Sequence, residues 1–84
     1  DYVPMGMAAA LKARRVLANA QRVVAAELMC GAQGLEFLKP LNPGAGVQEV
    51  YQRVRSLVQP LTQDRPLTED IERLADLLGR EALA

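Results

Sequence analysis

Hydrophobic residues recur every three or four positions along a proline-free stretch that runs from Met5 to Leu38. This spacing is typical of one face of an α-helix. The stretch therefore predicts one very long helix over about residues 5–38, with a length of roughly 50 Å. Pro40 is expected to end it. Residues 1–4 are expected to be extended or turn-like, with Pro4 at or just before the first helical turn. The apolar stripe consists of Leu17, Ala20, Val24, Leu28, Gly31, Leu35 and Leu38.

Two shorter stripes follow and predict two shorter helices. The first, containing Val47, Val50, Tyr51 and Val54, predicts a helix over about residues 45–58, before Pro60. The second predicts a helix over about residues 68–79, with Thr68 as its N-cap and Gly79 as its C-terminal stop. The pattern shows no strand alternation, so the predicted fold class is all-α. Its apolar positions are Ile71, Leu74, Ala75, Leu77 and Leu78.

The long helix exceeds what a compact chain of this size requires. A globule of this length has a radius of gyration near 12 Å, and so a diameter of only about 30 Å. The opposite side of the helix is also patchily apolar, at Ala25, Ala26 and Met29. A helix that is apolar on more than one side normally has several neighbours. We therefore expect it to belong to a larger helical bundle, covered mainly by other chains or by upstream helices.

Glu27 interrupts the apolar stripe of the long helix. Burying an unpaired carboxylate costs several kcal/mol, so a partner is required. We interpret Glu27 as a buried structural charge that is paired with a base outside this segment. The alternative is a carboxylate near a pocket, or one that holds a catalytic group on another helix.

Composition excludes several kinds of site from these 84 residues. The chain has no histidine and one cysteine, which excludes a His/Cys metal site, a Ser–His–Asp triad and a Cys–His pair. No metal site and no catalytic residue is therefore expected within this segment. The net charge of zero favours neither nucleic acid nor membrane as a partner. A basic stripe is interpreted as a solvated or inter-subunit face; it consists of Lys12, Arg15 and Arg22.

The remaining signals concern the cellular compartment, the environment of the cysteine, one loop contact and the start of the chain. The single Cys30 excludes an internal disulfide and favours a reducing compartment, so we expect a cytoplasmic protein. Its small and apolar neighbours predict a core position and an inert thiol. Asp64 and Arg65 are interpreted as a salt bridge that closes the last loop. The chain begins with Asp1 rather than Met, which favours a fragment of a longer protein.

Three stretches of the sequence, taken in order, indicate a resemblance to a known family. They are DYVPMG at residues 1–6, VAAELMCGAQGL at residues 24–35 and DRPLTEDI at residues 64–71. In order and spacing they resemble the C-terminal helical segment of the histidine and aromatic amino-acid ammonia-lyase family. The resemblance covers essentially the whole chain, so residues 1–84 are expected to form the C-terminal segment of a larger lyase.

The resemblance implies a homotetramer with a central helical bundle. It also implies an electrophilic methylidene-imidazolone, made from an internal Ala-Ser-Gly that this chain lacks and that would lie upstream. Such enzymes eliminate ammonia from histidine or another aromatic amino acid to give an arylacrylate. Neither Tyr2 nor Tyr51 matches the catalytic tyrosine of the family. The isolated segment is therefore expected to be inactive.

The resemblance also places three residues beside the substrate pocket, namely Asp1, Tyr2 and Met5. Tyr2 and Pro4 depart from the family's common residues, and the two substrate-deciding residues precede Asp1, so the substrate stays open. Within the family, an aromatic amino-acid aminomutase is an alternative. Outside it, the alternative is a non-catalytic helical module for oligomerisation or partner binding. The physical features fit both classes, and the order of the motifs favours the lyase.

Overall fold

The computed structural model describes the backbone of residues 2–83 and the side chains of residues 5–81. It contains α1 at Tyr2–Leu38, α2 at Ala45–Leu57 and α3 at Thr68–Leu83. No strand occurs in the described backbone. The prediction of an all-α chain with one very long helix and two shorter ones is confirmed.

The helix ends differ from the predicted ones at three places. The backbone of Tyr2, Val3 and Pro4 is already helical, so the extended start is wrong there; Asp1 lies outside the described residues. Pro4 is tolerated because the first N–H groups of a helix have no intrahelical partner. Thr68 is the first residue of α3 rather than its N-cap, a difference within the usual uncertainty of helix ends.

The third difference is Gly79, which does not stop α3. The helix continues through it to Leu83. A β-carbon at this position would lie only 3.2 Å from Nε2 of Gln21 on α1. Gly79 therefore serves the close approach of two helices, rather than a left-handed turn at a helix end.

The molecule is elongated, with extents of 61 × 29 × 16 Å and a radius of gyration of 16.5 Å. A compact chain of this length would have a radius of gyration near 12 Å. α3 runs antiparallel to α1, because Leu17 lines a crevice with Arg80 whereas Ala26 lines one with Thr68. α2 packs beside the C-terminal part of α1. The predicted overshoot of the long helix is confirmed.

The core is aliphatic and lies on one side of the C-terminal half of α1. Ala25 and Ala32 of α1 are 0% and 4% exposed, and Leu74 of α3 is 1% exposed. Small alanine side chains let the neighbouring helices approach α1 closely. The other buried apolar residues are Val54, Val58 and Ala75, and the half-buried ones packed around them are Leu28, Met29, Tyr51, Leu57, Ile71, Leu77 and Leu78.

Most of the apolar stripe predicted on α1 lies outside the face that packs against α2 and α3, although Leu28 of the stripe packs against the core. Leu17 is 60% exposed and Leu38 is 56% exposed. The buried Ala25 and Ala32 each follow a stripe residue by one position, which turns the packed face by about 100°. The stripe was predicted because its side chains are large and apolar. The packed face is instead the one where small alanine side chains let the neighbouring helices approach α1 closely. That other chains or upstream helices cover the stripe stays a prediction.

The loop between α2 and α3 is held by Arg65. Its guanidinium donates to the carbonyl oxygens of Gln59 at 2.8 Å and Pro60 at 3.2 Å, and to Oδ2 of Asp70 at 3.0 Å. Asp70 is buried and also accepts a hydrogen bond from Arg73 at 3.1 Å. The predicted partner of Arg65 was Asp64, which is exposed. The predicted Asp64–Arg65 salt bridge is therefore wrong, because the start of α3 brings Asp70 to Arg65 instead.

Replacing Leu74 by Ala should destabilise the protein by about 2–5 kcal/mol, because it leaves a cavity at the centre of the core. Denaturant unfolding of the protein measures this loss. The matched control is Leu41→Ala, since Leu41 is 72% exposed and should cost less than about 0.5 kcal/mol. Equal effects of the two substitutions would contradict the core described above.

Asp70→Asn should destabilise the protein by about 3 kcal/mol, since it removes the charge that both Arg65 and Arg73 face. The value is at the low end for a buried ion pair because half of the Arg73 side chain is exposed. Thermal or denaturant unfolding checks it. Glu69→Gln is the control: Glu69 also pairs with Arg73 but its side chain is 88% exposed, so little change is expected.

Candidate functional site

The N-terminal part of α1 projects beyond α2 and α3. Every side chain from Met5 to Leu17 is exposed, and Met5 is 72% exposed. Asp1 and the side chain of Tyr2 lie outside what the structure describes. Two of the three residues that were expected beside a substrate pocket therefore have no described side-chain position. Met5 lies at a bare helix end, and its proximity to a pocket stays a prediction.

Glu27 lies at the edge of a crevice between α1 and α2, which it lines together with Val47 and Val50. At about 100° per residue it points roughly 160° away from the buried Ala25, so it does not enter the core. The side chain of Glu27 is exposed, and no ion pair with another described residue forms. Its burial and its pairing with a base thus depend on neighbours outside this chain, and both stay predictions.

The basic stripe of α1 is divided by the fold. Nε of Arg22 is 2.8 Å from Oε1 of Glu72, so Arg22 joins α1 to α3. It also donates to Oδ1 of Asn19 at 3.2 Å. Lys12 and Arg15 are exposed on the projecting part of α1. Only these two therefore lie on a face that remains available to solvent or to another subunit.

Cys30 is exposed, so the expected core position is wrong within this chain. It lines a groove of about 300 Å³ between α1 and the segment that follows α2. The error arises because α2 and α3 pack one side of α1 only, and Cys30 lies on another side. The groove is largely apolar; its other walls include Met29, Phe37, Val58 and Leu61.

A polar cluster joins the last turn of α1 to α2 around the carboxylate of Glu36. Oε1 of Glu36 accepts hydrogen bonds from the hydroxyl of Tyr51 and from Nε of Arg55, the latter at 3.1 Å. Nζ of Lys39 lies 3.0 Å from Oε2. Both cations also approach the ring of Tyr51, at 5.7 Å for Lys39 and 5.5 Å for Arg55. Cations at this distance from an aromatic ring are attracted by its face.

These contacts set the charge state of the cluster. The hydrogen bond from Tyr51, followed by those from Lys39 and Arg55, lowers the pKa of Glu36 to about 2. The hydrogen bond to Glu36 in turn raises the pKa of Lys39. Glu36 is therefore ionised throughout the neutral range and does not exchange a proton there. The cluster is suited to fixing α2 against α1 rather than to acid–base chemistry.

The sequence analysis did not single out Glu36. Two signals were visible in the sequence: Lys39 follows Glu36 by one turn, and Arg55 follows Tyr51 by one turn. The contact between the two pairs depends on how α2 folds back on α1, which no local spacing predicts.

Metal and membrane signals are absent from the part of the chain that the structure describes. No group of three or more His, Cys, Asp or Glu side chains there is arranged to hold a metal ion. No described helix is both long enough and apolar enough to cross a membrane.

A sequence profile of the family described as "Aromatic amino acid lyase" matches residues 1–56. The match includes the projecting end of α1, its packed half and the Tyr51–Glu36 contact. The chain belongs to this family.

Individual aromatic amino acid lyases agree with the profile. A histidine ammonia-lyase of Symbiobacterium thermophilum is 49% identical over 93% of this chain. Those of Deinococcus radiodurans and Homo sapiens are each 45% identical, over 99% and 93% of it. The chain spans only 15%, 16% and 12% of these three relatives. No solved structure matches this chain.

Glu36→Gln should reduce stability at neutral pH, because the cluster loses the charge that its two cations face. A carboxyl group with a lowered pKa stabilises the fold above its unfolded value, and this contribution is lost as the pH falls toward the folded value. The difference in stability between the variant and the unsubstituted protein should therefore be constant above about pH 5.5 and shrink toward pH 2.

Unfolding midpoints measured across this pH range check the expectation. Glu49→Gln is the control, since Glu49 is exposed and forms no ion pair with another described residue. A Glu36→Gln effect that does not depend on pH would contradict the assignment of the ionised cluster.

Proposed function

We propose that this chain is the C-terminal helical segment of an ammonia-lyase that removes ammonia from histidine and gives an arylacrylate, urocanate. The observation that carries the proposal is the 45–49% identity, over nearly the whole chain, to histidine ammonia-lyases of bacterial and human origin. Histidine is preferred to phenylalanine and tyrosine because these relatives bear its name.

The contribution of this segment is structural support and one wall of the substrate pocket. In the proposal, the projecting end of α1 carries Asp1, Tyr2 and Met5 to that pocket. The exposure of Met5 and its neighbours supports this, because the end of α1 is free to contact another part of the protein. The core and the Glu36 cluster hold the opposite half of the helix.

The electrophile of the proposed reaction is a methylidene-imidazolone formed from an Ala-Ser-Gly in the upstream part of the same protein. This chain does not fit the precursor, because its one serine, Ser56, lies between Arg55 and Leu57. The Ser56 hydroxyl donates to the carbonyl oxygen of Arg53 at 2.6 Å, within α2. The group supplies an electrophilic carbon for the amino acid; the residues of this segment only shape the pocket.

The proposed assembly is a homotetramer in the cytoplasm, with an amino acid as its small-molecule ligand and with neither nucleic acid nor membrane as a partner. The bare apolar surface of α1 supports association, since Val16 is 60% exposed and Val23 is 58% exposed on a helix that projects from the core. Apolar surface on this scale is uncommon on monomers.

The test is to incubate the full-length protein separately with L-histidine, L-phenylalanine and L-tyrosine. Ammonia release with matching formation of urocanate, fastest with histidine, is the expected result. Replacing the serine of the upstream Ala-Ser-Gly by alanine should abolish it, and residues 1–84 alone should show no turnover. A β-amino acid product would instead identify an aminomutase. A folded protein that is inactive on all three amino acids would support a non-catalytic helical module.

A further inference from the structure

The carbonyl oxygens at the end of α2 and just beyond it accept hydrogen bonds from side chains, in an unbroken series over residues 57–61. We call these residues the clamped segment, and we call the segment together with its side-chain donors the clamp. Oε1 of Gln33 also accepts a hydrogen bond from the backbone N–H of Leu61 at 2.9 Å. The donors, in the order of the carbonyls, are Arg73 at 3.3 Å, Arg55 at 3.2 Å, Arg65 at 2.8 Å and again at 3.2 Å, and Gln33 at 3.3 Å.

The backbone of the clamped segment explains why it needs these donors. The last four carbonyl groups of a helix have no partner within the helix. Many helices satisfy some of them with a glycine in a left-handed conformation. Here no glycine occurs between Gly46 and Gly79, and Val58 is extended, with φ −130° and ψ 121°. Pro60 has no N–H to donate, so side chains supply most of the hydrogen bonds.

The donors come from every helix of the chain. Gln33 lies on α1, Arg55 on α2 and Arg73 on α3, and Arg65 lies in the loop between the last two. Arg65 and Arg73 are also held by the same buried carboxylate, that of Asp70, at 3.0 Å and 3.1 Å. Groups that share partners in one hydrogen-bond network are energetically coupled. A disturbance at one end of the clamp is therefore expected to reach the other end.

The arginines of the clamp do not form an anion-binding site. They line one crevice together with Glu69 and Asp70, whose carboxylates would repel an anion. Their N–H groups are directed at backbone carbonyl oxygens and at these carboxylates. The positive charge of this region is thus used inside the chain.

One atom of the network favours opening of the clamp. Nη2 of Arg55 is buried and has no hydrogen-bond partner among the described residues. A buried N–H without a partner is unfavourable, whereas water would satisfy it if the segment moved away. The other contacts of the network therefore hold the clamp closed against one unsatisfied donor.

We propose that the clamp opens as one unit while α1 and α3 stay folded. Proteins open locally in cooperative units, at a lower free energy than global unfolding requires. Val58, Gln59 and Leu61 form one wall of the apolar groove beside Cys30, so opening of the clamp widens this groove. The clamp is thus a conformational device that is independent of the proposed reaction.

Hydrogen–deuterium exchange of single backbone amides in the full-length protein tests the proposal. Two amides report on the two ends of the clamp: that of Val58, which donates to the carbonyl oxygen of Val54 at 2.9 Å, and that of Leu61. Gln33→Met removes the donor at one end, and Arg73→Lys removes the guanidinium at the other end while keeping its charge. Each substitution should speed exchange at both amides by about fivefold, the factor expected for the loss of one hydrogen bond.

Gln52→Met and Arg80→Lys are the matched controls. Gln52 is exposed on α2, and Arg80 pairs with Asp76 on its own helix. In the described structure neither donates to the clamped segment. Neither substitution should therefore change exchange at the two reporter amides by more than about twofold.

The pattern of exchange decides between one unit and separate contacts. The expected result is faster exchange at both reporter amides in both variants, with unchanged exchange at Leu74 of α3 and Ala25 of α1. An effect confined to the amide nearest each substitution, or no effect at either amide, would overturn the proposal. Equal acceleration at Leu74 and Ala25 would show unfolding of the whole segment and would overturn it as well. Enzyme activity is not a readout, so failure of the proposed reaction leaves this result interpretable.

Discussion

The fold depends on a mismatch of length between one helix and the two helices that pack against it. α1 has 37 residues, whereas α2 has 13 and α3 has 16. The two short helices therefore cover one side of the C-terminal half of α1, and the projecting half has no neighbour within the chain. Since apolar residues occur on every side of α1, the chain itself buries only part of the hydrophobic surface of this helix. The part left exposed limits which elements can surround this segment.

Two polar clusters secure the short helices. The Glu36 cluster ties the last turn of α1 to α2, and the Arg65–Asp70 pair fixes the loop that leads into α3. Both clusters are charge-assisted, which makes their hydrogen bonds stronger than neutral ones. The segment thus positions α2 and α3 by contacts within the chain.

The sequence predicted the number, order and approximate bounds of the helices, because each has a clear three-four hydrophobic period and a proline near at least one end. It did not predict which side of α1 would pack, because a hydrophobic periodicity draws attention to the face with the largest apolar side chains. The structure uses Ala25 and Ala32 because helices can approach closely over alanine. The same limit explains Gly79, whose missing side chain accommodates Gln21 rather than ending a helix.

The candidate site was less predictable than the fold for a related reason. Cys30 was expected in a core because its neighbours in sequence are small and apolar, but a helix residue is buried only if another element packs on its side. Arg65 was paired with its sequence neighbour Asp64, whereas the start of α3 brings Asp70 to it. Contacts of this kind depend on how segments fold back, and local sequence carries little information about that.

Glu27 shows what a charge can contribute to a surface that is otherwise apolar. Apolar contacts between long helices are tolerant of sliding, because one aliphatic side chain replaces another at little cost. A single polar position in such a contact specifies register and orientation, at some cost in stability. On α1, Glu27 is such a position: it is exposed on a helix whose surface is largely apolar. The partner that its charge would select stays a prediction.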